Sequence, residues 1–287
     1  MSFDLLSALM ETQALRVASE GQVFWYTSGT VGPYYINTEN LYGGPDAAGE
    51  LLEFIDAEKN GPRFAFDLRE RLLRQYESNA IYRNVVDALV ARARSALTVD
   101  IDAVSGGERR DWFFSLTVAE CLGKPNLLMF KNRERMLFDG KNATNEGVDG
   151  LCTLHIADLV TEASSYFRDW IPLVGEGGGR IAYSANVVDR GQGGIEALCE
   201  NGVPSSALLR VDGALFKRLA ESGYIGLTQA DLLAAYYRDP HAAMRTFLLE
   251  HPDFLQNALR GGDGGGDERT RARAQLLVEG DVYGLDA

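Results

Sequence analysis

Cysteine and histidine are scarce in this sequence, with three of each among 287 residues. Cys121, Cys152 and Cys199 are scattered and form no C-x-x-C pair, so they read as reduced, partly buried thiols of a cytoplasmic protein, not as a disulfide framework. A metal site built from them with His155, His241 and His251 is not expected, because nothing in the spacing clusters these residues. Basic residues are outnumbered as well: 28 Lys and Arg face 41 Asp and Glu, a formal net charge of −13. A field of that sign repels phosphate backbones and argues against general nucleic-acid binding, while leaving room for a local anion site. No stretch approaches the ~20 apolar residues of a membrane span. The first 21 residues carry Asp4, Glu11 and Glu20 and no basic start, unlike a secretory leader. No internal repeat is found.

What is present is a 46% hydrophobic chain, enough for a sizeable core in one large domain or in a medium domain with an appendage. Apolar spacing predicts a helix over 3–19 and two aromatic-rich strands around the Ser28-Gly29 turn. Residues 46–98 read as helical, with Asp46 as a cap and a break at Asn60-Gly61-Pro62. From residue 99 the texture alternates. Strands are predicted at 98–104, 126–130, 151–157, 180–188 and 206–211, and helices at 112–123, 165–174 and 194–202. A charged loop is predicted through Gly150. This alternation implies an α/β fold with a mainly parallel sheet flanked by helices. Only helices are predicted after residue 212, one of them capped by Thr228, with a flexible GGDGGGDE break at 261–268. The expected domains are 1–212, with a helical insertion at about 46–98, and a helical extension over 213–287.

In open α/β sheets, ligands bind beyond the carboxyl ends of the strands. Three predicted loops occupy such positions. Ser105–Asp111 sets Gly106, Gly107, Arg109 and Arg110 between a strand and a helix. It is either a tight solvated turn or a phosphate loop, in which glycines admit the ligand and arginines supply forked donors. Paired arginines at a helix start favour the second reading, since the helix dipole disfavours cations there unless an anion is present. Asp158–Ser165 places one carboxylate at a strand end, then Thr161, Ser164 and Ser165 at a helix start. That is either a plain capped turn or a ribose-phosphate cradle. Asp189–Gly194 is either an ordinary turn with an exposed charge pair or a third wall of the same pocket.

Weaker signals read as structure. GEGGGR (175–180) precedes a strand instead of following one, so the dinucleotide-binding context fails. His155 reads as a hydrogen-bonded core residue, and Trp112, Phe113 and Phe114 as core packing, with base stacking by Trp112 the alternative. Neither Ser28 nor Ser105 has an evident His/Asp partner, which argues against a hydrolase triad.

Taken in order, these segments resemble the type I phosphoribosyltransferases, and among them the orotate phosphoribosyltransferase family. VFWYTSGTVGPYYIN (23–37) is similar to that family's F-x-L-x-S-G-x-x-S-x-Y-Y/F-x-N/D signature. LCTLHIADLVTEASS is similar to its phosphoribosyl pyrophosphate motif, and VVDRGQGGIEALCENG to V-D-R-x-x-G-G-x-E-x-L-x-x-x-G. The resemblance covers about residues 10–212. It implies ribosyl transfer from phosphoribosyl pyrophosphate to orotate or a related base, with Mg2+ and a homodimer. Carried over, it implies that Asp158 holds ribose hydroxyls and that Thr161, Ala163, Ser164 and Ser165 cradle the 5′-phosphate. Gly106, Gly107, Arg109 and Arg110 would form the pyrophosphate loop. Ser28, Gly29, Tyr34, Tyr35 and Arg190 would bind the base. KNRERMLFDG (131–140) would be the mobile catalytic loop, with Arg133 and Arg135 acting with Asp158 in catalysis.

The sequence also departs from the family pattern. Ala157 stands for the first acid of the ribose pair, a loss of about 1.5–3 kcal/mol if that acid makes a charge-assisted contact. Glu162 brings a negative charge to the cradle, worth about 4 kcal/mol of repulsion at ~4 Å unless it points to water. Thr27 replaces the lysine before Ser-Gly, and the basic pattern of the mobile loop is thinned, with Met136 and Asp139-Gly140 in it. Two expectations follow: an active phosphoribosyltransferase, or a non-catalytic protein that binds a nucleotide or phosphate on the same fold.

Overall fold

The computed structural model describes residues 3–260 and 267–285. It opens with helix α1 (Leu5–Glu11), capped by Asp4, whose Oδ1 accepts the Leu6 N–H at 3.2 Å. The helix expected to residue 19 ends here. The Thr12 hydroxyl donates back to the Ala8 carbonyl and Gln13 takes φ 55, a turn that a helix cannot pass. Strand β1 (Leu15–Val17) follows. The aromatic segment forms the expected hairpin, β2 (Phe24–Trp25) against β3 (Val31–Gly32), turned where Gly29 takes φ 82. Strand β4 (Tyr34–Ile36) returns antiparallel to β1. After a 3-10 turn at Thr38–Tyr42 come α2 (Pro45–Glu58), α3 (Phe64–Ser78) and α4 (Ala80–Ala96). Asp46 does not cap α2. It lies within the first turn, behind Gly44 and Pro45. A break that was not expected falls at Asn79, whose side chain accepts the Tyr82 N–H at 2.9 Å and so starts α4.

The sheet then assembles. Strand β5 (Ala103–Gly107) leads to α5 (Trp112–Leu122), which Gly123 ends in the left-handed conformation. Strands β6 (Asn126–Met129), β7 (Arg135–Phe138), β8 (Ala143–Thr144), β9 (Cys152–Val160), β10 (Arg180–Asp189) and β11 (Ser205–Arg210) complete a seven-stranded sheet of order β11-β10-β9-β5-β6-β7-β8. The five strands from β11 to β6 run parallel, β7 pairs antiparallel with β6, and β8 pairs antiparallel with β7. The charged loop expected through Gly150 is therefore partly strand, because Met136 and Leu137 pair with Leu128 and Leu127. Helix α6 (Ile171–Glu176) continues a π-helical turn at Tyr166–Trp170, and α7 (Gly194–Glu200) follows β10. On one face of the sheet, Leu127, Met129, Ala157, Tyr166, Trp170 and Leu173 share a buried cluster.

The C-terminal helices are α8 (Gly213–Glu221), α9 (Leu227–Arg238), α10 (Pro240–Glu250), α11 (Pro252–Arg260) and α12 (Glu268–Glu279). Thr228 lies inside α9, and Gly226 is the cap residue. The run expected as one helix from His241 breaks at His251-Pro252, where proline lacks the amide to continue it. Of the glycine-rich break, residues 261–266 lie outside the described residues.

The chain divides into two compact units: residues 1–14 with 37–211, and residues 15–36 with 212–287. The first contains the sheet. In the second, Val23, Val31, Met244, Phe247, Leu277 and Tyr283 form the core, and Trp25 stacks on Phe254 with ring centroids 5.4 Å apart. The aromatic segment 15–36, expected within the first domain, thus groups with the C-terminal helices. No helix among the described residues is long and apolar enough to cross a membrane.

Candidate functional site

In the sheet unit, β5, β9 and β10 are parallel neighbours, so the segments that follow Gly107, Val160 and Asp189 leave the same rim. A cavity of about 360 Å³ opens there. Its lining includes Glu108, Arg109, Arg110, Asp111 and Lys131 on one side, and Asp158, Thr161, Ala163, Ser164 and Ser165 on the other. The third segment adjoins the second through its backbone: the Arg190 N–H donates to the Val160 carbonyl and the Gly194 N–H to the Thr161 carbonyl, each at 2.9 Å. Arg190 is not among the cavity-lining residues.

Gly106 and Gly107 belong to β5 instead of the loop and pair with Leu128 and Met129. Their role is packing. A Cβ on Gly106 would collide with Ser115, and one on Gly107 with the Trp170 ring. The cradle keeps a left-handed turn at Ala163, φ 58, without a glycine. Glu162 is exposed, which removes most of the repulsion expected from it. Thr161, Ser164 and Ser165 stand at a helix start, where the first amides have no acceptor within the helix.

The arginines of the rim are engaged. Arg109 ion-pairs with Asp56, and Arg110 lies 3.2 Å from Glu39 Oε1. Lys59 pairs with Glu108 at 2.5 Å. Burial works to raise the Glu108 pKa, but the Lys59 ammonium and the Lys131 amide outweigh it and hold the carboxyl below its ordinary value. Glu39 is buried, and burial raises its pKa although Arg110 opposes the shift. Asp158 accepts the Thr38 hydroxyl at 2.5 Å, and its backbone N–H donates to Asp111 Oδ1 at 3.0 Å. The Gly107 N–H donates to Asp111 Oδ2 at 2.9 Å. Burial raises the pKa of both acids, most strongly for Asp111, to which the Asp158 charge adds.

Arg133 and Arg135, expected to act in catalysis, are not among the cavity residues. Residues 130–134 form a tight turn between β6 and β7, with the Phe130 N–H donating to the Glu134 carbonyl at 2.9 Å. Arg133 pairs with Glu176, and Arg135 with Asp149 at 2.9 Å. Ser28, Gly29, Tyr34 and Tyr35, expected to bind the base, belong to the other unit. There Tyr35 packs edge-on against Tyr26 at 5.7 Å, and Ser28 shares a hydrogen bond with Thr30. Trp112 is wholly buried and donates to the Gly106 carbonyl, so it has no face for base stacking.

Sequence reading missed Thr38, Glu39, Asp56 and Lys59, which reach the rim from distant helices, and it took Asp111 only as a loop end. It also missed a buried constellation. Ser105 Oγ lies 3.1 Å from His155 Nδ1, and His155 Nε2 lies 3.7 Å from Asp111. Ser105 and His155 are wholly buried, and burial alone depresses the His155 pKa to about 3. A neutral imidazole sealed from solvent with its serine is a core network, not an accessible nucleophile.

Mg2+, implied by the resemblance, meets no donor cluster among the described residues. No group of three or more Asp, Glu, His or Cys among the described residues could hold a metal. Both Asp111 oxygens already accept backbone amides.

Two solved structures share this architecture. A UMP synthase from Leishmania donovani superposes with a TM-score of 0.53 at 16% identity, over 86% of this chain and 42% of that one. An orotate phosphoribosyltransferase from Francisella tularensis superposes with a TM-score of 0.52 at 13% identity, over 82% of this chain and 97% of that one. This chain therefore spans less than half of the UMP synthase's length. No family model matches the sequence, and no curated protein does. The likeness is one of fold, and the fold is that of the type I phosphoribosyltransferases.

Proposed function

We propose that this protein binds a ribose 5-phosphate compound of the nucleoside monophosphate class on a phosphoribosyltransferase fold, without carrying out ribosyl transfer. One observation carries the reading. Arg109, Arg110, Asp158 and the hydroxyls of Thr161, Ser164 and Ser165 line a single cavity at the carboxyl rim of a parallel sheet. Hydroxyls and amides at a helix start suit one phosphate monoester, and a carboxyl beside them suits sugar hydroxyls. A pyrophosphate donor needs more. Its added charge calls for free cations, and Asp56 and Glu39 already answer the two rim arginines. Electrostatic stabilisation of a departing pyrophosphate requires donors aimed at the developing charge. Arg133 and Arg135 are held by Glu176 and Asp149 instead.

The second reading is transfer from phosphoribosyl pyrophosphate to orotate or a related base. It is favoured by Asp158 and the paired arginines facing one cavity. Mg2+, a homodimer and base contacts from Ser28, Gly29, Tyr34, Tyr35 and Arg190 belong to that reading. Incubating the protein with orotate, phosphoribosyl pyrophosphate and Mg2+ while following orotate absorbance separates the two. The expected result is no decay, together with calorimetric binding of uridine 5′-monophosphate. Decay establishes transfer and overturns the non-catalytic reading. Absence of both decay and binding overturns both readings.

A further inference from the structure

The second unit holds a larger cavity, of about 660 Å³, lined only by its own residues between 17 and 33 and between 228 and 251. That volume falls in the range of small-molecule sites, about 300–1,000 Å³. Val17, Ala18, Pro33, Leu232, Ala243 and Phe247 give it an apolar floor. Helices α9 and α10 each present one face to it, because their lining positions recur every three or four residues.

The charges around this floor are unevenly placed. Asp239 caps the start of α10 and Glu250 ends it, about 16 Å apart along the helix axis. At the start, Arg238 and Asp239 bring opposite charges, and Asp239 Oδ1 accepts the Ala242 N–H at 2.9 Å. That end favours no ion. At the other end, Glu20 and Glu250 line the cavity, and neither carboxylate has a hydrogen bond or ion pair among the described residues. His251 stands with them. Its Nδ1 donates to the Phe247 carbonyl at 3.0 Å, which leaves Nε2 of the neutral ring as an acceptor. The imidazole is stacked on the Phe247 ring, centroids 4.4 Å apart, and a Cβ on Gly21 would lie 3.8 Å from Nε2. No basic residue stands in the last turn of α10 to answer its carbonyl end.

We infer that this cavity binds a primary amine with an apolar body. The ammonium lies at the Glu20, Glu250 and His251 end, and the hydrocarbon lies on Phe247, Leu232 and Pro33. An ammonium carries three donors and no acceptor, the complement of what that end offers. A ligand carboxylate would meet two carboxylates there. An alcohol of the same length gains the floor without the charge-assisted bonds. The site shares no residue with the cavity at the sheet rim, so it stands apart from the ribose phosphate reading.

Calorimetry on the full chain with octylamine, octanol and octanoate tests the inference. Octylamine should bind at least about tenfold more tightly than octanol, the effect of charge-assisted hydrogen bonding, and octanoate more weakly than octanol. Glu20→Gln combined with Glu250→Gln should bring octylamine within about threefold of octanol while leaving octanol affinity unchanged. Both side chains are exposed, so the exchange costs the fold little. Ala242→Phe places a ring on the cavity wall from an exposed position and should abolish binding of octylamine and octanol. Equal affinity of the native chain for the amine and the alcohol overturns the inference, as does binding of neither. Tighter binding of octanoate overturns it by making Arg238 the reader. Octylamine binding that survives Ala242→Phe places the amine elsewhere and overturns it as well. Uridine 5′-monophosphate binding should be the same in every variant, so failure here leaves the phosphate-binding reading intact.

Discussion

The Arg110 guanidinium lies 3.2 Å from Oε1 of Glu39, a carboxylate that is itself buried. One cation of the cavity rim is thus held by an acid from a different part of the chain, and that acid limits what the rim can do for an anion. Glu39→Gln should release Arg110 and raise affinity for inorganic phosphate by several-fold, about 1 kcal/mol. Unchanged phosphate affinity by calorimetry would show that Arg110 does not face the ligand.

Arginines inside and outside the cavity should separate. Arg109→Ala and Arg110→Ala should each weaken phosphate or nucleotide binding by roughly tenfold, whereas Arg133→Ala and Arg135→Ala should change it less than about twofold. Equal losses at all four positions in a calorimetric series would return the turn at 130–134 to the ligand.

The buried acids make stability depend on pH with a defined sign. The folded-state pKa of Asp111 lies above its unfolded value through burial and the Asp158 charge. From about pH 4 up to that raised value, the native state holds more protons than the unfolded one. This contribution is therefore complete below about pH 4 and is lost as pH rises through the folded value. Urea midpoints measured across that range should show a shallower loss with rising pH for Asp111→Asn than for the native chain. Parallel slopes would mean that Asp111 is ionised throughout.

Glycine at 107 should prove to be a packing residue. Because an added Cβ meets the Trp170 ring, Gly107→Ala should cost about 1–3 kcal/mol in denaturant unfolding. A stable Gly107→Ala variant that loses only ligand binding would reinstate the loop role expected from sequence.

Ala163 offers the opposite case. It holds φ 58 in the cradle without glycine, a conformation that costs an L-residue about 1 kcal/mol. Ala163→Gly should raise stability by up to about that amount; a decrease in the unfolding midpoint would show that the methyl group, buried in the core cluster, matters more than the backbone strain.

Much of the sheet was legible because burial on both faces leaves near-continuous apolar runs, as in Cys152–Val160 and Arg180–Asp189. The strand at Arg135–Phe138 was hidden because its apolar run, Met136 to Phe138, is only three residues long and lies between charged neighbours. The α1 stop was hidden too. Gln13 signals nothing locally, and Leu15 pairs with Ile36, 21 residues later.

By itself, the order of residues determined the alternation of strand and helix, and with it the three segments at one rim, because hydrophobic period and punctuation are local properties. Only the tertiary structure decided which charges remain available there. Asp56, Lys59 and Glu39 neutralise rim residues from more than 45 positions away, and Asp111 stands beside Asp158 across 47. Ion pairing and burial depend on distance in space, which chain separation does not encode.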